Sequence, residues 1–147
     1  MHSQAWSLGT RESNVAWGHA SMLLDDGTYI SWWPKEGAGI FNAFEDQEAL
    51  MMESLDDDIR NEGQRYDFSY YISFLDEIKI KNYWLKFKKK GKYNPVFQNC
   101  STTVAEALRE GGSQEYSNRW FDIVWTPNDV KEYVEDILNN YYSNIWF

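Results

Sequence analysis

Cysteine is nearly absent from this chain of 147 residues: Cys100 stands alone, so no internal disulfide can staple the fold. With only two histidines beside it, no ligand set at zinc-like spacing can be assembled, which excludes a structural metal, and no cofactor is implied. Proline occurs three times, and no Pro-rich, low-complexity or repeated segment divides the chain, so it reads as a single domain over residues 1–147. No stretch approaches the ~18 apolar residues of a membrane span, and Met1 to Thr10 has no basic start followed by an apolar run. The expectation is a soluble chain without a signal peptide or stable membrane insertion, which would need a specialised secretion system to act in a target cell. Positive charge is also scarce. Fourteen basic against 23 acidic side chains leave a net charge of −9, which opposes counterion-releasing contact with a phosphate backbone and excludes nucleic acid as an expected partner.

Aromatic residues are what the chain has in excess, at 18% with eight Trp and ten Tyr, enough to build a core or a binding cleft largely from rings. Two strand-like runs, Ala16 to Leu24 and Thr28 to Trp33, flank Asp25-Asp26-Gly27. A three-residue loop ending in Gly suits a type I turn closed by a glycine bulge, and Pro34 should end the second strand. From Phe44 to Gly63, eight acidic residues and one Arg surround apolar positions at roughly helical spacing, including Ala49, Leu50, Leu55 and Ile59, which predicts a surface helix or lid.

Tyr66 to Phe74 reads as a third strand, after which Asp76 can cap a helix over about Glu77 to Lys89 with Ile80, Tyr83, Trp84 and Phe87 inward. The next helix begins near Asn99 and runs to the Gly111-Gly112 stop, with Cys100, Val104 and Leu108 on one row. The last opens at Thr126-Pro127-Asn128-Asp129 and carries Val130, Tyr133, Val134, Ile137 and Leu138 as its apolar stripe. The expected class is α+β, a small antiparallel sheet packed against helices.

Thiolate is the nucleophilic form of cysteine, and the first turn of a helix favours it through unpaired N–H groups and the positive end of the dipole. Cys100 occupies such a place. A neighbouring imidazole favours thiolate further and can protonate a leaving group. His19 on its strand is the candidate, because His2 lies at a chain end expected to fray. A lone buried Cys or strand His is often purely structural, but here small polar residues (Gly18, Ser21, Asn99, Ser101, Thr102) surround both.

The WGHASMLL and YISWWP strands and the later NCSTTVAEAL helix resemble the permuted branch of the NlpC-type papain-like enzymes, over about residues 15 to 112. The resemblance implies a circularly permuted papain-like fold, a nucleophile matching Cys100 and a general base matching His19. Members of this branch, including the lecithin:retinol acyltransferase-like enzymes, place a third polar residue on the strand after the first His; here that position is Ser31. An odd hairpin loop puts Ser31 on the His19 face, and a two-residue turn points it away. Serine is a weaker orienter than a carboxylate, which leaves Asp25, Asp26 or a backbone carbonyl as substitutes.

The Cys100 N–H is the natural first oxyanion donor, with Gln98 or a Tyr as a candidate second one and Asn99 beside them. Trp17, Trp32 and Trp33 flank the site in sequence and could line a cleft, although hairpin aromatics are commonly core. Seven lysines between Lys79 and Lys92 could meet anionic head groups or a wall polymer, or simply be solvated. Asp56-Asp57-Asp58 lacks the spacing of a calcium loop and is expected to face water. The resemblance makes the leading expectation a thiol peptidase or amidase acting on peptidoglycan stem peptides, as a delivered antibacterial toxin with a cognate immunity protein. The alternatives are a phospholipase or acyltransferase using the same pair on an ester, a ubiquitin-type isopeptidase, and a binding module in which Cys100 merely packs.

Overall fold

The computed structural model describes residues 1–6, 18–34, 49–90, 92, 94, 98–119 and 125–146. Strands β1 (His2–Trp6), β2 (His19–Leu23), β3 (Tyr29–Ile30) and, after two further short strands, β6 (Phe68–Tyr71) form an antiparallel sheet in the order β3-β2-β1-β6. A second, two-stranded sheet pairs β4 (Trp33–Pro34) with β5 (Ala49–Leu50). Four helices complete the described fold: α1 (Leu55–Glu62), α2 (Glu77–Lys90), α3 (Cys100–Glu110) and α4 (Pro127–Trp146). The chain is therefore α+β, a small antiparallel sheet packed against helices.

The hairpin forms as its loop chemistry dictates. Leu24 N–H donates to the Thr28 carbonyl at 2.9 Å and Gly27 N–H to the Leu24 carbonyl at 3.1 Å, closing Asp25-Asp26-Gly27 as a three-residue loop. Gly27 adopts φ +86°, a left-handed conformation that a Cβ would strain. The resulting register pairs Met22 with Ile30 and Leu23 with Tyr29. Ala20, Met22, Leu24, Ile30 and Trp32 thereby join one buried cluster with Ile80 and Trp84 of α2, Val104 and Leu108 of α3, and Val130, Val134 and Ile137 of α4. Helix α3 packs on β2, α4 on β1, and α2 on α3. That last approach is close: a Cβ on Gly111 would lie 2.7 Å from Ile80 Cδ1.

Helix starts follow their caps. Asp76 Oδ1 accepts from the Ile78 and Lys79 amides, and Thr126 and Asp129 bond reciprocally across the first turn of α4. Three expectations need correction. Ala49 and Leu50 are strand, because they pair with Pro34 and Trp33, and the helix begins only after Ser54, whose hydroxyl accepts from Asp57 N–H. Pro34 itself lies in β4 rather than ending the preceding strand. His2 does not lie in a frayed end: β1 is held between β2 and β6, where His2 sits exposed, its ring 4.9 Å from that of Tyr71. No described helix is long and apolar enough to cross a membrane.

Candidate active site

Cys100 is the first residue of α3 because Asn99 stops the chain there. Asn99 has extended backbone (φ −96°, ψ −179°), and its Oδ1 accepts from the Thr102 amide at 2.9 Å. Its Nδ2 donates to the Trp125 carbonyl at 3.0 Å, which anchors the cap to the segment before α4. Cys100 is 7% exposed, in the turn where the helix offers its own amides no acceptor.

His19 opens β2, directly after Gly18, whose φ of +71° turns the chain into the strand. The imidazole is fully buried. Its Nε2 lies 3.0 Å from Asp58 Oδ2 and 3.1 Å from Ser31 Oγ, and its ring stacks on Trp33 with centroids 4.2 Å apart. Nε2 faces Asp58 and Ser31, the buried Nδ1 makes no hydrogen bond among the described residues, and Cys100 and His19 each shift the other's protonation through their charges.

Asp58 reaches this point on α1. Pairing of β5 with β4 ties the chain beside Trp33, and only four residues later Ser54 caps the helix. Leu55, Asp58, Ile59 and Glu62 then fall on the inner row, with Asp58 fully buried. Four side chains donate to its carboxylate. Tyr29 (2.6 Å) and His19 bond Oδ2, while Ser31 and Trp33 Nε1 (both 2.8 Å) bond Oδ1. Tyr29, Ser31 and Trp33 alternate along the chain, so one face of an extended segment supplies three donors to one carboxylate. The network continues from the Tyr29 hydroxyl to Ser21 at 2.8 Å and from Ser21 to Gln4 at 3.3 Å.

These contacts decide where the protons sit. Burial alone would neutralise all three groups, but their mutual interactions oppose it. Burial pulls His19 down, yet the charge of Cys100 and the hydrogen bond to Asp58 outweigh it and raise the imidazole to about 10. Burial pushes Cys100 up, yet the charge of His19, with smaller help from the Ala20 backbone and Ser101, holds the thiol below its ordinary value. Asp58 is likewise held low against burial by the hydrogen bond and charge of His19, then by Tyr29 and Trp33. The mutual interactions of Cys100, His19 and Asp58 thus shift each group toward its charged form, against the pull of burial.

Of the residues singled out in the sequence, Cys100, His19 and Ser31 come together. Gln98 is engaged through its backbone, which pairs with Asn94 and accepts from Trp32 Nε1 at 3.3 Å. Asn99 serves as the cap. Trp32 does not line a cleft: it is 1% exposed and meets Trp84 and Phe87 edge-on, on the sheet face opposite Ser31. Trp17 lies outside the described residues. The substitutes proposed for the third role are engaged elsewhere: Asp26 pairs with Lys81, and Asp25 is exposed and bonds the Met1 nitrogen. The residue that sequence reasoning missed is Asp58, expected to face water. Its signal was the Ser54 cap, which sets the helical register and puts Asp58 in the same row as Leu55 and Ile59. Among the described residues no group of His, Cys, Asp and Glu could hold a metal ion.

The chain matches the family described as the IcsB middle domain over residues 41–143, a stretch that includes Asp58 and Cys100 and begins after His19. No curated protein and no solved structure matches it. With well over half of its residues in that match, the chain belongs to the IcsB middle domain family.

Proposed function

We propose that the chain is a cysteine-nucleophile enzyme that cleaves an acyl bond, with Cys100 as nucleophile, His19 as general acid and base, and Asp58 as the residue that orients and charges His19. What supports this reading is one fully buried imidazole 3.0 Å from a carboxylate and electrostatically coupled to a helix-start thiol, the three coming from separate segments. A structural Cys or His needs no such partner. The order of His on a strand before Cys on a helix also supports the permuted papain-like arrangement of the NlpC-type enzymes.

In the proposed reaction the Cys100 thiolate attacks the carbonyl carbon, and the oxyanion is met by the Cys100 N–H at the helix start. The tetrahedral intermediate collapses as imidazolium protonates the leaving group, which gives a thioester on Cys100. Neutral His19 then takes a proton from water as its oxygen attacks the thioester carbon, the C–S bond breaks to expel the Cys100 thiolate and release the carboxylic acid, and the thiolate–imidazolium pair is restored. Asp58 holds the ring so that the nitrogen facing Cys100 carries the mobile proton. Ser31 shares Nε2 and donates to Asp58, so it acts as a positioning residue. Amides of peptidoglycan stem peptides are the first substrates to offer.

An activated ester such as p-nitrophenyl acetate tests the acyl-transfer step. The expected result is a burst of one p-nitrophenolate per chain, with the acetyl group on Cys100 by mass spectrometry and no burst in Cys100→Ala or His19→Ala. A folded wild type that shows no burst, or acetylation equal in His19→Ala, would sink the reading. Cell-wall fragments, phospholipids and ubiquitin conjugates offered side by side then separate the substrate classes.

A further inference from the structure

We propose that the outward face of α2 is a docking surface for an anionic lipid bilayer. The helix buries Ile80, Trp84 and Phe87 and turns Ile78 and Leu85 to solvent, 75% and 46% exposed. These two aliphatic residues are two turns apart and share one stripe, where the core gives them no partner. Lys86, Lys88, Lys89 and Lys90 fill the C-terminal part of the helix around that stripe and Lys92 carries the charge past its end, all five exposed. The ion pairs of this helix lie in its first half, Lys79 with Asp76 and Lys81 with Asp26; among the described residues the five later lysines make none.

Charge distribution argues for the occupant. Half of the chain's 14 basic residues fall between Lys79 and Lys92, while the whole chain carries −9. An anionic surface therefore attracts this one face and repels the rest, which sets an orientation as well as an affinity. The kind of side chain favours lipid over an acidic protein. Lysine stems lie along apolar surface with their ammonium groups reaching phosphate, and two exposed aliphatics suit the boundary between head groups and acyl chains. The stripe has no Arg to fork onto a carboxylate and no exposed ring to fill a partner's pocket.

Docking would also bear on Cys100. Phe87, near the cationic end of α2, lies 4.7 Å from the Trp32 ring, and the Trp32 indole donates to the Gln98 carbonyl two residues before Cys100. A bilayer against this end of α2 holds the thiol-bearing helix close to the surface. The inference itself does not rest on the chemistry of Cys100.

Co-sedimentation of the full chain with vesicles of phosphatidylcholine, with and without phosphatidylserine, tests it. Wild type and Cys100→Ala are expected to bind the anionic vesicles alike, at low salt and much less at high salt, and to leave the neutral ones. Each lysine near such a surface contributes roughly 1 kcal/mol, so the triple variant Lys86→Gln, Lys89→Gln, Lys90→Gln should partition about a hundredfold less. Ile78→Ser with Leu85→Ser should weaken binding without changing its salt dependence. Circular dichroism checks that these surface variants fold. The proposal is overturned if wild type stays in the supernatant, if neutral and anionic vesicles bind alike, or if the lysine variant binds as wild type.

Discussion

The two faces of the β2–β3 hairpin are built from neighbouring residues and do opposite things. Ala20, Met22, Ile30 and Trp32 point into the helices and join the apolar cluster. His19, Tyr29, Ser31 and Trp33 point the other way and converge on Asp58 of α1. The first face is held by area removed from water, a diffuse quantity spread over many contacts. The second is held by a few directed hydrogen bonds around one buried charge, so each donor there carries a larger share of the local balance. What the comparison teaches is that an apolar core and a buried polar network can be separated by moving one residue along the same strand.

The largest effect on stability should come from the apolar face. Ile30→Ala deletes a fully buried side chain between Tyr29 and Ser31 and should cost about 2–5 kcal/mol by urea unfolding. The molecules that remain folded should keep a reactive thiol; if Cys100 reactivity were lost in step with stability, the two faces would not be separable. A smaller loss of stability, about 1–3 kcal/mol, is expected for Asp58→Asn, which keeps the shape but cannot satisfy all four donors. Because Asp58 is held below its ordinary value in the fold, its contribution is present above the unfolded carboxylate pKa and fades as the pH falls through the folded one. The asparagine variant should accordingly lose much of the acid limb of the stability profile. Asp57→Asn sharpens the contrast from one residue away. Asp57 caps the helix with Ser54 and pairs with exposed Arg60, so its loss should cost no more than about 1 kcal/mol and leave Cys100 untouched.

Much of this arrangement was legible before the fold. The loop Asp25-Asp26-Gly27 has an odd length, and that alone placed Ser31 on the His19 face. The Asn99 cap and the Gly111-Gly112 stop bounded α3 and put Cys100 in its first turn. Trp32 and Trp33, by contrast, are identical residues side by side, and only the register decides that one is core and the other stacks on His19. Asp56, Asp57 and Asp58 are equally alike on paper. Successive helical residues point about 100° apart, so a single acidic run holds one buried carboxylate and two outward ones, and composition cannot say which. The pairing of β1 between β2 and β6 was hidden for another reason: it joins segments distant in sequence, and Ser3 and Gln4 give β1 little apolar alternation.

The central claim is that Asp58 and His19 together hold Cys100 as a thiolate, and the pH dependence of Cys100 alkylation by iodoacetamide tests it most directly. Wild type should react well below pH 7. His19→Ala should shift toward the free-cysteine value of about 8.5, and Asp58→Asn should lie between them. Three profiles that coincide near the free-cysteine value would contradict the account, because the imidazole and carboxylate would then have no hold on the thiol.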